Sequence, residues 1–470
     1  MDGTERYSYL PIDTPELLQE HYTEIQKTWW QTVTDAKFDL VVVHAGQAQL
    51  FFEDDHGPTF KANPHFLQWI PPEYAVAESC LVICPGKTTR LLFFQPSDYW
   101  HAVPMPPDHL SGHLEIRTFT TVADLHQHCT EQVEQLTKAP ERVAFVGEPS
   151  CKTLLGKDWQ HNPSSLIHRL NFARAAKTNY ELAAMRNASI MGALGHRAAA
   201  NCFSEGGSEF DVHMAFLNAS EQNESELPYG NIVAQNHHAA FLHYQFQDRH
   251  TPTELNSLLI DAGGSYRGYA SDITRTYVTA QSNAAHEAHA AFTSLLAEMR
   301  NHQDRLVNAV APGGSYVELQ QLMHEQLAEI LTTHHILKCS AQEAFAQRLT
   351  EAFCPHGLGH LLGLQVHDVG GQQIAESGEL RPPPENYPAL RFTRPISENM
   401  VLTVEPGLYF IPVLLEPYRN NHASFNWHLI DALCPFGGIR IEDNVRVLPT
   451  GIENLTRDAF TTIGYTGAHP

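Results

Sequence analysis

No apolar run in this sequence approaches the ~18 residues that a bilayer-spanning helix requires. Basic residues are also scarce: 30 Lys and Arg face 53 Asp and Glu across 470 residues, a formal net charge of −23. Nucleic acid and anionic membranes both demand a net basic face, so neither is an expected partner. Cysteine is sparse as well. The eight cysteines include no CxxC pair, and the closest two are Cys80 and Cys84. That spacing excludes a disulfide framework and a cysteine-clustered structural zinc, and fits reduced thiols. The opening Met1-Asp2-Gly3-Thr4-Glu5-Arg6 has neither a basic n-region nor an apolar h-region. The expectation is a chain without a signal peptide, working in the cytoplasm. Internal repeats and low-complexity tracts are missing too. What is present is a hydrophobic fraction of 43%, ample for more than one buried core.

Length alone suggests about three domains, or two larger ones. The first third reads as α/β. A helix is expected over Pro15–Val33, strands near Phe38–Val43, Cys80–Ile83, Arg90–Phe94 and Val143–Val146, and a helix over Val122–Leu136. Asn162-Pro163-Ser164-Ser165 reads as linker, and Thr178-Asn179-Tyr180-Glu181 has the form of a capping box before a long Ala-rich helix. The boundaries drawn are a domain over residues 1–160, a linker over 161–176 and a second domain over 177–470. Helices are expected at about Ala284–Ala309 and Tyr316–Thr333, and Pro412–Pro435 reads as a long surface loop.

Four segments of the second half carry the chemistry. In Leu258-Leu259-Ile260-Asp261 through Ser271-Asp272-Ile273-Thr274, strand-like residues flank a Gly-rich turn. A hairpin centred between Tyr266 and Arg267 sets Asp261 directly across from Asp272, two like charges that favour a cation between them. Two turn-flanking aspartates facing water remain the equal alternative. The run Pro355-His356-Gly357-Leu358-Gly359-His360 through His367 holds three histidines among glycines that allow close approach to a ligand. In Val401-Leu402-Thr403-Val404-Glu405 a carboxylate ends an apolar strand, where it needs a cation or a shifted pKa. Gly438-Ile439-Arg440-Ile441-Glu442 alternates, placing Arg440 and Glu442 on one face. Asp261, Asp272, His360, Glu405 and Glu442 together form an oxygen-rich donor set, of the kind that takes Mn²⁺ and similar divalent ions.

At these motifs the sequence resembles the pita-bread metallopeptidases, and within them the Xaa-Pro dipeptidase (prolidase) branch that also includes organophosphorus acid anhydrolase-type members. The resemblance extends to Gly46-Gln47-Ala48, Glu53-Asp54-Asp55, Lys61-Ala62-Asn63-Pro64 and Pro228-Tyr229-Gly230-Asn231. It implies an α+β chain, with an N-terminal creatinase-like α/β domain followed by a C-terminal pita-bread catalytic domain. It implies two divalent metals, Mn²⁺ first with Co²⁺ or Zn²⁺ as alternatives, held by Asp261, Asp272, His360, Glu405 and Glu442. Glu405 would also move a proton. His243, beside Leu242, and His367 would steady substrate and tetrahedral intermediate. Arg440, with His356 nearby, would meet the free carboxylate of the dipeptide. Tyr229 and Leu242 would belong to the small pocket, and Asp55 would reach the substrate's amino end in a neighbouring subunit of a homodimer or dimer of dimers. The implied reaction is hydrolysis of Xaa-Pro dipeptides by a metal-bridging hydroxide, with P–F and P–O cleavage as a side activity. An aminopeptidase acting on longer Xaa-Pro peptides, a non-catalytic binding module and a metal-independent hydrolase are the competing readings. The complete ligand set argues against the last two.

Overall fold

The computed structural model describes residues 7–153, 156, 158–279, 286–420 and 423–465. Met1–Arg6 and the first residues of the helix expected from Ala284 lie outside the described residues.

The N-terminal part runs α1 (Pro15–Asp35), β1 (Leu40–His44), α2 (Pro64–Leu67), β2 (Cys80–Ile83), β3 (Arg90–Phe94), β4 (Glu115–Phe119), α3 (Val122–Leu136), β5 (Val143–Val146), β6 (Gln160–His161) and α4 (Ser164–Arg174). Its strands form one mixed sheet in the order β4-β3-β2-β1-β5-β6. Alternate residues point to opposite faces. Val41, Val43, Leu81 and Phe93 bury toward α1, while Val42, Val82 and Leu92 bury toward Leu125 and Val133 of α3. The segment expected as linker is instead occupied by α4, whose Leu166 and Leu170 join the same core as α1. Its Asn-Pro-Ser-Ser start has turn chemistry, but the apolar 166/170 spacing behind it decides the helix.

The C-terminal part runs α5 (Asn179–Ser204), α6 (Glu209–Ser220), β7 (Ile232–Gln235), β8 (Ser257–Asp261), β9 (Ser265–Tyr266), β10 (Tyr269–Ala270), β11 (Thr274–Val278), α7 (His286–Ala309), α8 (Tyr316–Thr333), α9 (Ala341–Ala346), β12 (Val401–Val404), β13 (Gly407–Tyr409), α10 (Pro412–Leu415), α11 (Trp427–Leu433), β14 (Gly438–Arg440), β15 (Asp443–Val447), β16 (Ile452–Asn454) and α12 (Leu455–Thr462). The capping box is present: Thr178 Oγ1 and Glu181 close the start of α5 reciprocally. Short sheets β11-β8-β7 and β12-β15-β16 face the helices, and the largest core lies between α7, α8 and β12–β15. An isolated bridge, Thr274 to Glu442, joins the two sheet systems. No helix among the described residues is long and apolar enough to cross a membrane. The Pro412–Pro435 stretch is no loop. It contains α10 and α11, because Phe425, Ile430 and Leu433 bury an apolar face despite the Pro and Asn content.

The hairpin register differs from the sequence expectation. The turn centres on Arg267-Gly268, both with positive φ (54° and 84°), and Asp261 pairs with Thr274, not Asp272. A two-residue turn of this hand favours glycine at its second position, which moves the centre by one residue. Backbone bonds from Ala262 to Ile273 and from Ser271 to Gly264 continue that register, so Gly263 stands opposite Asp272. Asp261 and Asp272 become diagonal neighbours on one face, still within side-chain reach. A Cβ on Gly263 would overlap the Ser271 carbonyl. Gly263→Ala is therefore expected to break the hairpin and drop bound metal severalfold, measured by metal analysis beside a circular dichroism melt.

Candidate metal centre and active site

Each expected carboxylate ligand sits at or beside the end of a strand, and His360 sits in a loop held against one. Asp261 closes β8, and Asp272 precedes β11 with its N–H donated to Asn444 Oδ1 at 2.9 Å. His360 is pinned to β12 by mutual bonds with Thr403, and Glu405 follows that strand with its N–H on the Leu358 carbonyl. Glu442 bridges to Thr274 across the sheets. Asp272, His360 and Glu442 bring ligand atoms within 4.8 Å of one another. His360 Nε2 lies 3.5 Å from Asp272 Oδ2 and 3.7 Å from Glu405 Oε1. Its Nδ1–H donates to the Leu361 carbonyl at 2.9 Å, which leaves the Nε2 lone pair facing the carboxylates.

Tyr229 ties the hairpin aspartates together. Its hydroxyl lies 2.7 Å from Asp261 Oδ1 and 2.6 Å from Asp272 Oδ1. A phenol has one proton to give, so the second contact calls for a proton on one carboxyl. Burial, then the Asp272 charge, pushes Asp261 up despite Arg440. Asp272 moves the other way: burial opposes its charge, but His360 holds it down. Burial raises Glu405 to about 7 and Glu442 well above the carboxylate range, with neighbouring carboxylates adding to both shifts. These carboxylates are ionisable, buried and crowded, and one imidazole points into them. That donor set fits divalent, oxygen-preferring ions.

Arg440 Nη2 donates to Asp261 Oδ2 at 2.7 Å, its Nη1 to the Tyr409 hydroxyl at 2.9 Å and its Nε to Thr274 Oγ1 at 3.2 Å, and the residue is 4% exposed. These bonds engage three of the five N–H groups of the guanidinium, and the first of them orients Asp261. Thr274 passes the support on, donating to Glu442 Oε2 at 2.6 Å. Tyr409 links Arg440 to His356, whose Nε2 lies 2.9 Å from the phenol oxygen.

The centre opens to a cleft of about 940 Å³ lined by Tyr229, His243, Asp261, Asp272 and His367. His367 stands edge-on to His360 with centroids 4.5 Å apart. Desolvation, then the charges of His360 and Arg391, pushes its imidazole down to about 4. His356 lies outside that cleft and lines a separate cavity of about 430 Å³ with Gln320 and Tyr387. Leu242 packs half-buried with Ile232 and Leu259 and does not line the cleft. Asp55 is 93% exposed, bonded to His56, and is not part of the lining of its own chain's cleft, which begins at Thr59. Sequence reasoning missed Arg391, an exposed cation whose field reaches His367. It also gave no role to Tyr409, Thr274 or Asn444. Tyr409 and Asn444 stand within or directly beside the motifs, but their partners are distant in sequence.

Raised carboxyl pKa values make the metal-free protein pH-sensitive. The native state binds more protons than the unfolded chain, so stability falls as pH rises through the window from the ordinary carboxylate value near 4.5 to about 7. Metal-free protein is expected to lose several degrees of Tm between pH 5 and 7.5, and Mn²⁺ should restore them, measured by calorimetry. Tyr229→Phe should weaken metal binding by roughly 10–100-fold, as loss of an outer contact to a ligand does, measured by chelator competition.

Comparison with known proteins agrees with this geometry. Residues 183–449 match the model of metallopeptidase family M24, and residues 16–172 match that of the Xaa-Pro dipeptidase N-terminal domain. The chain is 39% identical over 448 residues to the Xaa-Pro dipeptidase of Serratia proteamaculans, covering 94% of this chain and 98% of that protein. Identity to the Yersinia enterocolitica Xaa-Pro dipeptidase is also 39%, with the same coverage. In fold it is similar to aminopeptidase P of Escherichia coli in complex with product (TM-score 0.72, 21% identity) and to aminopeptidase PepP of Pseudomonas aeruginosa (0.73, 22%), each over 96% of both chains. With its ligand set and this breadth of match, the chain belongs to metallopeptidase family M24.

Proposed function

We propose that this metallopeptidase is an Xaa-Pro dipeptidase that uses two divalent ions, Mn²⁺ first, held by Asp261, Asp272, His360, Glu405 and Glu442. The observation carrying this reading is the set of four carboxylates, three buried and Glu405 half-buried, around one inward-facing imidazole, joined to 39% identity with proteins named for that activity. Bound divalent ions would supply Lewis acidity and lower the pKa of water at the site.

Glu405 would take a proton from the attacking water and give it to the departing proline nitrogen. His367, neutral at pH 7, and His243 stand on the cleft wall, where an N–H from either would meet the developing oxyanion. Proline's tertiary amide has no N–H, so the site needs no acceptor for one. Arg440 positions Asp261 and keeps N–H groups for a substrate's C-terminal carboxylate, and Arg391, an exposed cation whose charge reaches His367, adds to that attraction. Asp55, on a loop with the 91%-exposed Phe52, would serve the amino end of a substrate in the neighbouring subunit of a homodimer. Eight free cysteines accord with a cytoplasmic setting. Hydrolysis of P–F and P–O bonds is proposed as a side activity of the same site. A Glu405→Gln variant should lose it together with peptidase activity, and phosphotriester turnover surviving that change would contradict it.

Metal-stripped protein given Leu-Pro with and without Mn²⁺, beside a Leu-Pro-Xaa tripeptide, tests the reading by proline release. Metal-dependent cleavage of the dipeptide alone is expected, with Arg391→Ala raising KM on the order of 100-fold at little change in kcat. Cleavage of the tripeptide would move the chain to the aminopeptidases, and cleavage of neither substrate would contradict peptidase function.

A further inference from the structure

The N-terminal domain carries a second cluster of metal-ligating side chains, separate from the catalytic centre. His44 ends β1, Glu78 lies just before β2, and His126 sits near the start of α3. Each brings one ligand atom within 4.8 Å of the others. His44 Nε2 is 3.5 Å and His126 Nε2 3.7 Å from Glu78 Oε2. His360 Nε2 stands at the same 3.5 and 3.7 Å from Asp272 and Glu405 in the catalytic centre.

All three atoms are buried and none has a hydrogen-bond partner. Native proteins rarely leave such groups unsatisfied, and three of them aimed at one point is what a cation's ligand set presents. The other oxygen of Glu78 accepts from Gln47 Nε2 at 3.0 Å, the kind of outer contact that orients a ligating carboxylate. The cluster lies at the carboxyl end of β1, where β2, β3 and β4 lie to one side and β5 and β6 to the other. One local contact must yield: His44 Nδ1 accepts from the Gly46 N–H at 3.0 Å, and a metal at Nε2 moves the ring proton to Nδ1. Gly46, with φ of 119°, has the backbone freedom to turn that N–H away.

We propose that His44, Glu78 and His126 form a second metal site that takes Zn²⁺ and clamps α3 to the sheet. Two imidazoles and a carboxylate are a donor set that suits zinc. The inference does not rest on the peptidase reading.

Full-length protein equilibrated with Zn²⁺ alone and passed through a desalting column is assayed for zinc per chain by mass spectrometry. Wild type is expected to carry one equivalent more than His126→Ala and than Glu78→Gln, whose isosteric side chain guards against misfolding. Asp272→Asn, in the catalytic centre, should keep that equivalent. Equal zinc content in wild type, His126→Ala and Glu78→Gln would overturn the site.

Discussion

Four carboxylates share one buried pocket, and the architecture around them exists to keep them there. Asp261, Asp272, Glu405 and Glu442 are largely removed from water, with one guanidinium and one imidazole as the nearby cations. Like charges at that spacing in a low-dielectric interior repel strongly, so without added cations some must hold protons. The upward shifts of Glu405 and Glu442 express that conflict. Divalent ions resolve it and turn a destabilising cluster into a reactive one.

The surrounding contacts follow from this constraint. Arg440 neutralises part of Asp261 while holding Tyr409, and Tyr409 holds His356. Thr274 accepts from Arg440 and donates to Glu442, so one hydroxyl fixes two charged groups. Beneath Glu442, Asp443 is held down to about 2, against its own burial, by Arg275 and Arg457. On the opposite side Asp368, next to His367, is buried with Arg174 and Lys177 at 2.7 and 3.0 Å. This ion triad ties the histidine loop to the α4–α5 junction, and losing one member would strand a buried charge.

Much of this was legible in the sequence because local patterns carried it. The bounds of α3 and α8, the capping box at Thr178 and the strands at Cys80 and Val143 all follow from periodicity and caps. Glu405 stood out because a carboxylate ending an apolar strand is costly there unless a cation meets it, while Asp261, Asp272, His360 and Glu442 were read from the motifs around them. The bond from Arg440 to Asp261 was hidden in the sequence, because that partner arrives from a strand 179 residues away. The hairpin register failed by one step, since the turn's hand depends on the φ values of Arg267 and Gly268. Composition likewise hid α10 and α11, whose buried Phe425, Ile430 and Leu433 outweigh the surrounding Pro and Asn. The His44–Glu78–His126 cluster was invisible, because its members come together only through the sheet order.

The most direct test of the account is calorimetric titration of metal-free protein with Mn²⁺ near pH 6.5, repeated in buffers of different ionisation enthalpy to count protons. Carboxylates held protonated by their own crowding predict at least one proton released per chain, with release shrinking as pH rises past 8. Mn²⁺ binding with no proton release at pH 6.5 would contradict the claim that buried like charges govern this centre.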